Sequence, residues 1–346
     1  MPDFASPLRL RLDGDALVAN WRYLKGQGDA DCGAAVKANG YGLGAREVVA
    51  RLAAAGCQQF FVAHWSEAAA IADLVPPQQI AVLNGLDADD PAGVLAIGAV
   101  PVLNTPLQIA RWKAAGGGVC HVMLDSGINR LGIGIEQMHT GLFDGLDVDI
   151  LLSHLASADE DVPQNDQQLM LFRDMAMGIK SKRKSLANSA GIMLGADYHF
   201  DLTRPGLSLY GGIARPEMAG HIRPVVQPQA LVLQVRDLPP GALVGYNATF
   251  QTAAPTRVAT LAIGYADGYW RGFSGKGYVI FDGQRLPVIG RVSMDLLLVD
   301  ANAVPHLGEG DWVDVGFDLP TAAASSGMSQ YELLTGIGHR SARFWD

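Results

Sequence analysis

Short apolar runs alternate with amphipathic, alanine-rich segments from about residue 13 to residue 212, and this alternation constrains the fold more than any other feature. The runs recur roughly every 25 residues, which leaves room for one helix between neighbouring strands. The pattern therefore predicts parallel strands joined by helical crossovers. The eight predicted strands cover residues 33–37, 59–64, 79–83, 99–103, 121–125, 147–154, 184–188 and 206–210.

A closed (β/α)8 barrel and an open, doubly wound sheet both fit this alternation. Polar or reactive residues stand at the C-terminal ends of the predicted strands, among them Lys37, Asp125, His154 and Asn188. Barrel enzymes carry their chemistry at those ends. We therefore predict an α/β protein whose (β/α)8 barrel covers residues 13–224.

The sequence changes after about residue 223 to strand-like runs separated by turn signals. The run at 257–263 has strand composition, and Asp282-Gly283 is a strong hairpin signal. We therefore expect a C-terminal all-β domain over residues 225–346, and we expect the strand-like segment 8–12 to pair with it.

Composition and charge indicate the cellular environment of the chain and exclude some classes of binding partner. The net charge is −9, and the basic run at 180–184 is too short to neutralise many phosphates, which argues against nucleic acid as a partner. The three cysteines have no metal-binding spacing, so we expect no metal site and a reducing, cytoplasmic compartment. The longest uncharged stretch, 91–110, contains three prolines, and the N-terminus lacks a signal-peptide pattern, so we expect neither a membrane span nor targeting.

Lys37 ends the first apolar run and is followed by a glycine-rich turn, in the segment Ala-Ala-Val-Lys-Ala-Asn-Gly-Tyr-Gly-Leu-Gly-Ala at 34–45. A lysine at the end of a buried strand is costly to keep charged, so its amine is pushed toward the neutral form that condenses with carbonyls. The alternative is a lysine that snorkels at the barrel rim, with glycines that serve only the turn. Taken alone, the lysine fits both interpretations.

The string Ala-Val-Lys-Ala-Asn-x-Tyr-Gly-x-Gly resembles the pyridoxal-phosphate lysine motif of the alanine racemase family. The resemblance extends over nearly the whole chain. It implies a barrel followed by a β domain, pyridoxal 5'-phosphate as cofactor, and interconversion of L- and D-alanine, which supplies or consumes D-alanine, a peptidoglycan component. The further matching strings, in family order, lie at 121–132, 153–159, 187–191, 203–211, 244–250, 263–268 and 290–295.

The resemblance also implies the catalytic groups. Racemisation exchanges a proton on both faces of the α-carbon, for which two opposed bases are the simplest chemistry. By resemblance, Lys37 holds the cofactor as an imine and is one base, and Tyr246 from the second subunit of a homodimer is the other. Arg204 faces the pyridine nitrogen with the support of His154, and a guanidinium leaves that nitrogen unprotonated.

The remaining positions that match the family's site fall into two groups. Around the cofactor, hydroxyls and backbone N–H groups are suited to a phosphate, and around the substrate, a cation and the partner subunit's residues bind a carboxylate. The cofactor group is Tyr41, Asn188, Ser189, Gly206 and Leu207, and the substrate group is Arg130, Tyr265, Met294 and Asp295.

Two positions depart from the family pattern. The lysine that the family usually carries before its Asp-Thr-Gly string is Met123 here, and the family's C-terminal tyrosine aligns with His339. Because Met123 supplies no charge to Arg130, we expect Asp125, Glu136 or a solvent anion such as chloride to balance the guanidinium, and we favour the anion.

Other functions stay open at this level. A racemase of broader or serine-type specificity is the main alternative, because a small pocket rejects an added hydroxyl only about 100-fold. A decarboxylase of basic amino acids would need a cysteine in the β domain, whereas all three cysteines precede residue 121. A non-catalytic pyridoxal-phosphate carrier would be a barrel alone, and a cofactor-free Schiff-base aldolase would have no use for the phosphate motifs.

Overall fold

A computed structural model describes residues 6–86 and 91–346. The chain divides into two compact units. The barrel unit is Ala16–Arg223, and the β unit combines Pro224–Asp346 with the described residues up to Asp15. No helix in the described part of the chain combines the length and apolar character needed to cross a bilayer.

Parallel strands form the barrel. Strand β1 (Leu8–Leu12) precedes them and belongs to the β unit. β3 to β9 form one parallel sheet, and β2 pairs in parallel with β10. The barrel strands are β2 (Asp31–Cys32), β3 (Ala34–Ala35), β4 (Phe60–Val62), β5 (Ile80–Val82), β6 (Val100–Leu103), β7 (Val119–Met123), β8 (Asp147–Leu152), β9 (Arg183–Ser185) and β10 (Leu202–Thr203).

Backbone hydrogen bonds on both sides of β10 close the ring. Gly33 separates β2 from β3, and its N–H donates to the carbonyl of Thr203 at 2.9 Å. On the opposite side, the N–H of Arg204 donates to the carbonyl of Ala187 at 2.8 Å. If β2 and β3 are taken as one strand interrupted at Gly33, eight strands surround the core, and the predicted (β/α)8 barrel is confirmed.

Short helices cover the barrel. The crossover between β7 and β8 contains only a 3-10 helix, Ile135–Gln137. Thr105 illustrates a helix start, because its hydroxyl accepts the N–H of Gln108 at 3.1 Å and a proline follows it. The helical elements of this part are α1 (Gly14–Lys25), α2 (Lys37–Tyr41), α3 (Ala45–Ala54), α4 (Trp65–Ala69), α5 (Pro91–Ile97), α6 (Pro106–Ala114), α7 (Gln164–Ala176) and α8 (Ser189–Ile192), of which α2 is a left-handed turn.

The position predicted for the eighth strand is wrong. Residues Leu207–Tyr210 form a buried 3-10 helix, and the eighth strand is β10, a few residues earlier. A short, wholly buried apolar run does not distinguish a strand from a helix. Pro205 intervenes between the two elements and has no N–H with which to continue the ladder.

The β unit is built around one long strand. β11 (Val226–Leu238) pairs antiparallel with β1, and β1 also pairs in parallel with the last strand. Its other elements are β12 (Leu243–Val244), β13 (Phe250–Gln251), β14 (Thr256–Leu261), β15 (Tyr278–Phe281), β16 (Gln284–Pro287), β17 (Leu297–Asp300), β18 (Trp312–Val315), β19 (Ala342–Trp345), α9 (Leu319–Ser326) and α10 (Gln330–Thr335).

The hairpin predicted at Asp282-Gly283 is confirmed. β15 and β16 pair antiparallel on either side of these two residues. Asp282 and Gly283 have φ of 46° and 74°, the positive values that a two-residue turn of this twist requires.

Candidate active site

Most of the residues that the sequence singled out in the barrel unit follow the C-terminal ends of its strands. Because parallel strands end at the same side of a barrel, these residues lie at one mouth. They are Lys37 after β3, Asp125 and Arg130 after β7, His154 after β8, Asn188 and Ser189 after β9, and Arg204, Gly206 and Leu207 after β10.

Lys37 begins a turn of left-handed helical conformation. The φ values of Ala38, Asn39 and Tyr41 are 53°, 54° and 52°. For residues other than glycine this conformation costs roughly 1–2 kcal/mol each, so tertiary contacts must hold it. One of these is the side chain of Asn39, whose Oδ1 accepts the N–H of Ala45 at 2.9 Å.

Tyr41 ends this turn and packs against a buried tyrosine. Its ring stacks on that of Tyr210, with centroids 4.6 Å apart. The hydroxyl of the wholly buried Tyr210 donates to the carbonyl of Ala35 at 2.8 Å. The lysine turn is therefore attached to β3 through two stacked tyrosines.

The surroundings of Lys37 lower the pKa of its amine. Burial lowers the pKa of the half-buried Lys37, the cations Arg130 and Arg204 lower this pKa further, and Glu67 acts in the opposite direction. A lysine with a lowered pKa has a larger neutral fraction at ordinary pH, and only the neutral amine attacks a carbonyl or accepts a proton.

The hydroxyl of Ser189 and the backbone amides of Gly206 and Ser208 form a polar cradle. The Oγ of Ser189 accepts the N–H of Gly206 at 2.9 Å and that of Ser208 at 3.2 Å. A Cβ on Gly206 would lie 2.2 Å from the hydroxyl of Tyr41, so only glycine fits there. Two hydroxyls and backbone amides thus converge at the start of the 3-10 helix that Leu207 opens, and this donor set fits a phosphate.

Asn188 acts on the backbone next to this cradle. Its Oδ1 accepts the N–H of Gly191 at 2.9 Å and so caps α8, of which Ser189 is the first residue. The oxygen of Asn188 therefore orients the loop that carries Ser189.

Arg204 is buried and held by oxygen atoms. Its two terminal nitrogens donate to the Oγ of Ser185 and to the carbonyl of Ser153, each at 2.5 Å. Burial lowers its pKa to about 10, so Arg204 remains a cation at neutral pH. Burial, reinforced by Arg204, Arg130 and Lys37, lowers the pKa of His154 to about 3, so this histidine is neutral.

Asp125 does not pair with the side chain of Arg130. One of its carboxylate oxygens accepts the N–H groups of Gly127 and Asn129 at 2.8 and 3.0 Å, and the other accepts the N–H of Arg130 at 3.0 Å. Among the described residues no carboxylate, that of Glu136 included, lies within ion-pair distance of the exposed guanidinium. The internal ion pair considered as one alternative is therefore absent from this part of the chain.

In the β unit, Tyr265, Met294 and Asp295 lie on two segments that are bonded to each other. The N–H of Tyr265 donates to the carbonyl of Ser293, and that of Ala266 to the carbonyl of Met294, each at 3.0 Å. Met294 is 53% exposed. Tyr246 follows β12 in a turn with Gly245 at φ 73°, and its side chain is 69% exposed.

Several residues that support these groups escaped the sequence analysis. Arg340 donates to Asp295 at 2.8 Å and to the buried Asp267 at 2.9 Å, which ties the two segments together. In the barrel unit, Ser185 holds Arg204, and Glu67 binds the backbone beside Lys37 at 2.6 Å. Ser185 could have been identified from its position at the end of β9, whereas Glu67 lies within α4 and nothing local distinguishes Arg340.

A lysine, a buried arginine and a cluster of hydroxyl and amide groups follow the strand ends at one mouth of this barrel, in a chain with a separate β unit. This combination is typical of barrel enzymes that use a phosphate-bearing cofactor. The models of the alanine racemase N-terminal and C-terminal domains match residues 12–214 and 225–345. The chain belongs to the alanine racemase family.

Individual relatives agree with this assignment. The chain is 41% identical to a catabolic alanine racemase of Agrobacterium fabrum, over 96% of this chain and 91% of that protein. It is 39% identical to a biosynthetic alanine racemase of the same organism, over 98% and 93%. The crystal structure of the Bartonella henselae alanine racemase with covalently bound pyridoxal phosphate matches with a TM-score of 0.92 and 35% identity, covering 99% of this chain and 100% of that one.

Proposed function

We propose that this racemase interconverts L- and D-alanine with two bases, Lys37 and the Tyr246 of a second subunit. Pyridoxal phosphate is the cofactor, and when bound it supplies an electron sink that acidifies the α-proton of the amino acid. The observation that carries the proposal is the left-handed turn that presents Lys37, with its lowered pKa, at the same barrel mouth as the Ser189 and Gly206 cradle.

Lys37 has two tasks in this proposal. Its neutral amine would hold the cofactor, and in the reaction the same amine would take or return the proton on one face of the α-carbon. Burial and the two nearby arginines favour the neutral form in which both tasks begin. The phenol of Tyr246 serves the opposite face.

Arg204 sets the strength of the electron sink. Arg204 stays protonated and His154 stays neutral, so Arg204 would offer the ring nitrogen of the cofactor a hydrogen-bond donor and not a transferable proton. By leaving that nitrogen unprotonated, Arg204 would weaken the electron sink and favour return of the proton over side reactions.

The second subunit is proposed from the β unit. Leu243, Tyr246 and Met294 of the β unit have large side chains that are 64%, 69% and 53% exposed. A homodimer in which the β unit of each chain serves the other chain's barrel would cover them. The three free cysteines are all buried thiols, consistent with a cytoplasmic location.

Incorporation of solvent deuterium into each alanine enantiomer tests the two-base scheme. Tyr246→Phe removes one base and retains the other, so exchange should persist from one enantiomer and fall by about 10²- to 10⁴-fold from the other. Lys37→Ala should abolish racemisation and the visible absorbance of the bound cofactor. Tyr331→Phe, at an exposed tyrosine on α10, is the control.

Equal losses from both enantiomers in Tyr246→Phe would contradict the two-base scheme. Normal turnover in Lys37→Ala would remove Lys37 from the mechanism.

A further inference from the structure

One carboxylate connects two loops at the barrel mouth. The Oε1 of Glu67 accepts the N–H of Ala38 at 2.6 Å, and its Oε2 accepts the N–H groups of Ala63 at 2.7 Å and His64 at 3.3 Å. Ala38 directly follows Lys37, and Ala63 directly follows β4. Hydrogen bonds from backbone amides to a carboxylate are charge-assisted and short, so this is a strong attachment.

The attachment falls on a turn whose backbone adopts an unfavourable conformation. Ala38 and Asn39 adopt positive φ although neither is glycine, and the side chain of Asn39 secures only the far end of the turn, at Ala45. Glu67 secures the near end, at the peptide that joins Lys37 to Ala38. If this contact were lost, the turn could relax and the direction of the lysine side chain would change with it.

We propose that Glu67 is a positioning residue that aims the Lys37 amine by fixing the peptide that follows it to the end of the neighbouring strand. The inference rests on the proposed role of Lys37 as cofactor lysine and base. The groups that act electrostatically on Lys37 are the cations Arg130 and Arg204 and the anion Glu67, while the neutral His154 lies in the same cluster. Glu67 therefore also opposes two positive charges.

Glu67→Gln is the informative substitution. The carboxamide keeps the shape of the side chain but has only one acceptor oxygen, so its NH₂ group must face a backbone N–H on one of the two loops. Glu67→Asp retains the charge and shortens the reach. Glu47→Gln is the matched control, because Glu47 lies on α3 and its 60%-exposed side chain makes only a 3.9 Å pair with Arg51.

Three measurements on the purified holoenzymes separate positioning from stability. In Glu67→Gln we expect kcat per bound cofactor to fall by about 10- to 100-fold with a smaller change in KM, as when a reacting group is displaced by up to an ångström. Hydrogen exchange of the 36–42 and 61–66 segments should speed up by about tenfold or more. The acidic limb of the pH profile should move to lower pH, because loss of a negative charge lowers the pKa of Lys37.

Glu67→Asp keeps the negative charge but shortens the side chain, so it should restore the pH profile without restoring the slow hydrogen exchange of the two loops. This variant also keeps the test available if Glu67→Gln does not fold. A Glu67→Gln enzyme that loses only thermal stability and matches Glu47→Gln in kcat, exchange and pH profile would overturn the proposal. Fast exchange of the Ala38 amide in the unsubstituted enzyme would overturn it as well.

Borohydride reduction of the unsubstituted holoenzyme, followed by peptide mapping, identifies the lysine that carries the cofactor. If that lysine is not Lys37, the proposed function fails. If it is Lys37 and Glu67→Gln behaves like the control, only the role of Glu67 fails.

Discussion

At the scale of single residues, the site depends on positions where no other side chain could do the same work. Gly206 is one, because the hydroxyl of Tyr41 fills the space that a side chain would need. Arg204 is another, because its two terminal nitrogens match two fixed oxygens on neighbouring strands. Lysine at position 204 would keep the charge but would lose this forked geometry.

Gly206→Ala should weaken cofactor binding by about 10- to 100-fold, the equivalent of the 1–3 kcal/mol that overpacking costs. The new Cβ would displace the Tyr41 hydroxyl from the cradle. Equilibrium titration of the apoenzyme with pyridoxal phosphate measures the loss. Gly178→Ala is the control, since beyond the chain neighbours of Gly178 no atom of the described residues lies within 4 Å of the corresponding Cβ. Equal affinities of the two variants would contradict the cradle.

Arg130 leads to a prediction about anions. Its guanidinium has no carboxylate partner among the described residues, and the nearby Met123 is uncharged. A solvent anion that balances this charge would help Arg130 to face the substrate carboxylate. We expect activity or substrate affinity to rise with chloride at constant ionic strength, with a large inert anion as the balance. A flat titration would argue against a bound anion.

At the scale of elements, β7 and β8 show how a side chain replaces a ladder hydrogen bond. Their register shifts between Cys120 and Val122, so the N–H of Ile150 lacks a regular backbone partner in this ladder. The Nδ1 of the wholly buried His121 accepts that N–H at 3.2 Å. The bulge is therefore completed by an unprotonated ring nitrogen.

His121 should make the protein acid-sensitive. Burial lowers its pKa from 6.5 to about 3, so between these values the unfolded chain binds a proton that the folded chain does not. The stability that this difference provides is complete above pH 6.5 and is lost as the pH falls toward 3, by about 1.4 kcal/mol per pH unit. Urea unfolding at several pH values measures the slope.

Two substitutions of His121 separate its role as a hydrogen-bond acceptor from the effect of its protonation on stability. His121→Asn keeps an oxygen near the position of Nδ1 and should reduce the acid slope by about 1.4 kcal/mol per pH unit, the contribution of His121. His121→Leu leaves the Ile150 N–H without an acceptor and should cost about 1–3 kcal/mol even at neutral pH. If His121→Asn retained the full acid slope, other buried groups, such as His154, would have to account for it.

At the scale of the whole molecule, the proposed mechanism requires two chains. Each site would combine Lys37 from one subunit with Tyr246 from the other. An isologous dimer presents each patch twice, so two such sites form together.

Mixing inactive variants tests this arrangement. A Lys37→Ala chain and a Tyr246→Phe chain should together recover up to about one quarter of the unsubstituted activity, because half of the dimers are mixed and one of their two sites is intact. Differently tagged chains, purified through both tags, verify the mixed dimer. A verified mixed dimer without activity would place both bases in one chain.

The sequence by itself determined the parts of this protein that depend on local pattern. The spacing of apolar runs, together with polar residues at the strand ends, predicted the barrel. Asp282-Gly283 predicted its hairpin, and the string around Lys37 predicted a lysine at a strand end. Burial periodicity and turn chemistry act between near neighbours along the chain, so they can be read from it.

Only the tertiary structure decided which polar groups form hydrogen bonds with one another. It placed the eighth strand at β10, assigned Asp125 to backbone amides, and brought Glu67 to the peptide after Lys37. Periodicity reports whether a residue is buried but not which distant polar group satisfies it. The physical reason is that a buried donor or acceptor must find its partner across neighbouring strands, and closure of the barrel determines which partner lies within reach.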